Sequence, residues 1–95
     1  MSIKLANKLV QKVDKCGKRV VYHSDKGSFT DEKIWESGAY SARLNFNCLP
    51  RAGLGNLLIT VTHISGKKVF EAIGDMFGAR ELTLNESTDW VKELL

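Results

Sequence analysis

The segment from Ser2 to Cys16 restricts the fold more than any other part of the chain. At about 100° per residue, Ile3, Leu5, Ala6, Leu9, Val10, Val13 and Cys16 fall on one half of a helical wheel. Lys4, Asn7, Lys8, Gln11, Lys12, Asp14 and Lys15 fill the other half. Ser2 suits the N-cap, Gly17 suits a left-handed stop, and Lys12 and Lys15 suit the negative end of the helix dipole. A helix with so wide an apolar face holds its shape in water only if another layer covers it.

The rest of the chain offers mainly strands for that layer. Residues 19–23 are β-branched and aromatic and read as a strand, followed by turn chemistry at Asp25-Lys26-Gly27. Residues 28–36 fit either an edge strand or a single helical turn capped by Thr30. Tyr40, Ala42, Leu44, Phe46 and Cys48 alternate with polar residues, so 40–48 reads as a strand with one wet face. A loop over 49–55 contains Pro50, Gly53 and Gly55, and 57–64 resumes as a more apolar, central strand. Residues 67–77 have a helical period through Val69, Phe70, Ala72, Ile73, Met76 and Phe77, ended by Gly78. Residues 80–85 read as a short strand, and Ser87 or Thr88 caps a last short helix with Trp90, Val91, Leu94 and Leu95. The expected fold is a single α+β domain over 1–95. It has a mostly antiparallel sheet of four to five strands, two main helices on one face and a short C-terminal helix.

Composition narrows the setting. The longest apolar runs, such as Leu57-Leu58-Ile59, fall far short of the ~18 residues of a membrane span. Lys4, Lys8 and Lys12 interrupt any signal-peptide core, and the stretch lacks the richness in arginine and serine of a transit peptide, with no arginine before Arg19. Cys16 and Cys48 are far apart and read as reduced, buried thiols, so a cytoplasmic protein without disulfides is expected. The net charge of +3 is uneven. Residues 1–26 carry seven basic and two acidic side chains, or +5, whereas residues 67–95 carry four and six, or −2.

No constellation specifies a reaction. Cys16, His23, Cys48 and His63 lack the close pairing of zinc ligands, so no metal is expected. His23-Ser24-Asp25 has the residue types of a triad, but neighbours on a strand point to opposite faces. Cys48 and His63 would form a dyad only if their strands paired in the right register. Gly53-Leu54-Gly55 lacks the third glycine and the following helix of a dinucleotide cradle. No cofactor and no enzymatic activity are expected.

Binding is what remains. Trp35 lies in a polar context beside Ile34, the pattern of an exposed anchor for a protein partner, and Arg51 stands near a loop tip. Lys4, Lys8, Lys12 and Lys15 form a stripe continued by Lys18 and Arg19, which could instead track the phosphates of a nucleic acid. The favoured expectation is a small regulator or inhibitor of a protein partner; a nucleic-acid-binding module is the alternative. Freestanding domains of this size are often accessory proteins of phages or mobile elements, an association rather than a physical inference. If Val13 faces the core, Val13→Asp should cost several kcal/mol by burying an unpaired charge, measurable by urea denaturation.

Overall fold

The computed structural model describes residues 2–49, 51 and 53–95. Helix α1 (Ser2–Cys16) is followed by β1 (Lys18–Asp25), β2 (Ser28–Ser37), β3 (Tyr40–Leu49), β4 (Leu54–His63), β5 (Lys68–Asp75), β6 (Gly78–Asn85) and the short helix α2 (Val91–Leu94). The six strands form one antiparallel sheet in chain order, a meander from β1 to β6. The side chain of Ser2, expected to cap α1, and Pro50 of the β3–β4 connection lie outside the described residues.

Tight turns fix this order. Lys26 and Gly27 both have positive φ, 44° and 87°, which makes the two-residue turn between Asp25 and Ser28 match the twist of its strands. Two residues, Gly38-Ala39, likewise join β2 to β3, and Met76-Phe77 join β5 to β6. With connections this short, each strand can only fold back on the one before it.

One face of the sheet carries the core. Ala6, Leu9 and Val13 of α1 are fully buried, with Val10 nearly so, as the wheel requires. They meet Ala42 and Leu44 of β3, Leu57, Ile59 and Val61 of β4, and Phe70 and Ala72 of β5. Trp90 and Leu94 close the core from the C-terminus, Trp90 with its ring 4.8 Å from that of Phe70. Trp90 is no part of α2 proper: its indole N–H donates to the Ser87 carbonyl at 2.9 Å. Ser87 Oγ accepts from the Asp89 N–H and does not cap α2.

The expected second main helix is a correction. Residues 68–75 form β5 and 76–77 the turn after it, so among the described residues the sheet has six strands and one long helix covers it. The helical period was an accident of a β-bulge. Val61 pairs with Phe70 and Thr62 with Lys68, which leaves Val69 as the extra residue. Val69 and Phe70 are therefore both buried, two neighbours in a row, which imitates a helical stripe. Ala72 then returns to the core, and Ile73, a further member of that stripe, is 39% exposed on the opposite face. Residues 28–36 resolve as strand, and 19–23, 40–48, 57–64 and 80–85 lie within β1, β3, β4 and β6, apart from Ile64. Cys16, placed on the apolar half of the wheel, is exposed at the end of α1.

A polar side chain fixes the helix to the far edge. Asn7 Oδ1 accepts the Ala79 N–H at 2.8 Å, and Asn7 Nδ2 donates to the Ala79 carbonyl at 3.3 Å and to Ile3 O at 3.1 Å. One amide thus satisfies both backbone groups of a β6 residue. The approach needs Gly78, where a Cβ would sit 2.6 Å from Asn7 Oδ1. At the other end of α1, Lys33 Nζ donates to the Asp14 carbonyl and carboxylate at 2.9 and 2.8 Å. Asn7→Ala strips Ala79 of both partners and should cost about 1–3 kcal/mol. A lower urea midpoint at unchanged slope would show it.

Candidate functional site

The surface of α1 that faces solvent carries a row of lysines. Lys4, Lys8 and Lys15 are exposed, and Lys12 is half-buried with its ammonium 5.4 Å from the Trp35 ring centroid. Among the described residues none of these four lysines forms an ion pair. Elsewhere Arg19, Lys33, Arg43, Lys67, Lys68 and Arg80 each meet a carboxylate, while among the described residues Lys18, Lys26, Arg51 and Lys92 do not. A groove runs between α1 and α2. Its apolar lining is Leu5, Val91 and Leu95, and Lys8, Lys12 and Lys15 stand along it.

The residues expected to act together are dispersed. Trp35 lies on the helix side of β2, half-buried against the core, and its indole N–H donates to the Leu94 carbonyl at 3.1 Å. It braces α2 from beneath and is not a free anchor. Ile34, its neighbour, points to the opposite face of the sheet because strand side chains alternate. Arg51 is exposed in the β3–β4 connection, beside the β1–β2 turn: its Cδ would lie 3.9 Å from a Cβ on Gly27. Of the basic residues after the helix, Arg19 is bound through two nitrogens to Asp31 at 2.9 and 3.0 Å and stacks on Tyr22. Lys18 falls on the face away from α1. The lysine stripe is therefore confined to α1.

The face of the sheet opposite α1 carries polar networks that the sequence did not reveal. Glu32 accepts from Arg43 and Asn45; Asn47 donates to Asn45 Oδ1 and accepts from Thr30 Oγ1. Glu71 accepts from Lys68, Thr60 and Thr83. These residues are scattered over residues 30–83, and only the register of four hairpins makes them neighbours. The hydrogen bond from Lys68 holds the Glu71 carboxyl below its usual range, with Thr83 and Thr60 acting the same way and partial burial opposing them.

Catalytic candidates do not converge. Cys48 pairs with Gly55 and His63 with Tyr40, at opposite ends of the β3–β4 ladder and roughly 26 Å apart along it. Burial pushes the Cys48 thiol pKa up, away from the thiolate a nucleophile needs. His63 Nδ1 lies 2.9 Å from Ser65 Oγ, a local turn contact. Both thiols are free. No group of three or more metal-ligating side chains occurs among the described residues, and no helix there is long and apolar enough to cross a membrane. Comparison of the chain with family models, curated proteins and solved structures found no match.

Glu71→Gln tests the second network. A carboxylate with a depressed pKa stabilises the fold above its ordinary value of 4.5, and that contribution fades as pH falls through the lower folded value. The variant should lose about 1 kcal/mol at neutral pH. The gap between the two proteins should narrow as the pH falls below 4.5, followed by urea denaturation across pH.

Proposed function

We propose that the protein is a small non-enzymatic binding module whose α1 face and α1–α2 groove receive an acidic segment of a partner protein. The observation that carries this reading is the contrast in ion pairing. Five cations on the strands, and Lys67 just before β5, are neutralised by the protein itself, while among the described residues the row Lys4, Lys8, Lys12 and Lys15 on one helix face is not. An unneutralised row of lysines beside an apolar lining of Leu5, Val91 and Leu95 suits a segment that presents both carboxylates and apolar side chains. Trp35 contributes by holding α2 in place and by lying under Lys12. A regulatory or inhibitory role in the cytoplasm is part of the same proposal.

The runner-up is a nucleic acid bound by the same stripe. The lack of carboxylate partners favours it too, since free ammonium groups release counterions when they meet phosphates. Two features weigh against it: the stripe is not continued by Lys18, which lies on the other face, or by Arg19, which is paired, and Arg43 and Lys68 of the opposite face are themselves paired.

The test is a paired affinity purification from the native host, with the wild-type chain and a Lys4→Gln, Lys8→Gln, Lys12→Gln, Lys15→Gln chain as baits. A protein captured by the first and lost from the second, with thermal stability nearly unchanged, is the expected result. Equal capture by both baits would remove α1 from the interface. Titration of single- and double-stranded oligonucleotides separates the runner-up. Affinity that falls steeply with salt, at about 0.9 in log–log slope per phosphate contact on a duplex, would install the nucleic-acid reading.

A further inference from the structure

We infer that β1 pairs edge to edge with β1 of a second copy of this chain, making one continuous sheet across a two-fold axis. The inference is independent of the lysine face. It starts from the one strand, among the described residues, in which every residue is exposed. β1 is bonded to β2 on one side and is the outermost strand on the other. It contains no proline, and its middle is apolar: Val20, Val21 and Tyr22 are 46%, 43% and 55% exposed. The opposite edge is not equivalent. At the start of β6 both backbone groups of Ala79 are taken by Asn7, and two register shifts distort the β5–β6 pairing, against one in β1–β2.

The charges of β1 are self-complementary. Lys18 opens the strand and Asp25 closes it, and among the described residues neither forms an ion pair within the chain. A two-fold axis perpendicular to the sheet pairs residues that share a face. The register with β2 places Lys18, Val21, His23 and Asp25 on the open face, and Arg19, Tyr22 and Ser24 on the helix face. With Tyr22 opposite its own copy, His23 faces Val21. The bulge residue Val20, already skipped in the β2 pairing, is the extra residue again, so Ser24 faces Arg19 and Asp25 faces Lys18. Every facing pair then lies on one face, and two Lys18–Asp25 contacts close the ends. The same axis puts both copies of α1 on one side of the joined sheet.

Charge reversal with complementation tests this in the full chain. Sedimentation equilibrium should show a dimer for the wild type. Lys18→Asp and Asp25→Lys alone should each place like charges opposite one another at both ends, and weaken association by about tenfold or more. An equimolar mixture of the two variants should associate again, because every facing pair is then opposite in charge. Recovery in the mixture also shows that both variants fold. A wild type that stays monomeric at about 1 mM overturns the inference. So does a dimer indifferent to both reversals, or a mixture that fails to associate.

Discussion

The fold depends on how far one helix can reach. A fifteen-residue helix is about 22 Å long. Five strands at the usual spacing are about 19 Å across from first to last, and six are about 24 Å. α1 begins over β6, where Asn7 holds Ala79, and ends over β2, where Lys33 meets the last turn. It has then run out of length. Gly17 turns the chain straight into β1, which lies beyond the covered area, and all eight of its residues are exposed. The core from β2 to β6 and the bare edge strand are two consequences of the same length.

Where the helix does not reach, side chains of the sheet cover themselves. On β1, Arg19 lies over Tyr22, whose ring stacks at 6.5 Å on Phe29. On the face away from α1, Glu32 and Glu71 gather hydrogen bonds from neighbouring strands. A half-exposed ion pair contributes little alone, but a carboxylate shared among three donors fixes the rotamers of several strands together. The lysines of α1 have no such role, and removing their charge leaves the network intact. That asymmetry separates charge used for the fold from charge available to a partner.

The sequence misled at points where local pattern and tertiary position disagree. Asn7 lies on the polar half of the wheel, yet it is the side chain that fastens α1 to β6. Trp35 looked like an anchor because acidic and basic residues surround it; those neighbours alternate onto the two faces of β2, and Asp31 and Lys33, on its own face, are engaged in ion pairs. The 67–77 segment looked helical because a single extra residue in β5 buries Val69 beside Phe70. A bulge depends on the partner strand as much as on its own sequence, and no window along one strand can reveal it.

Periodicity and turn chemistry determined α1, the strands β1, β3, β4 and β6, and the positions of most reversals, because these are set by interactions between residues close in the chain. They also determined that α1 has a lysine face. Only the tertiary structure decided that β2 and β5 are strands and that Trp35 serves α2. Only it decided that, among the described residues, the four lysines of α1 stay unpaired while Lys33 of β2 and Lys68 of β5 meet carboxylates. Each of these depends on which residue lies opposite which across a hydrogen-bonded ladder, and a shift of one residue in register turns every side chain of a strand to the other face.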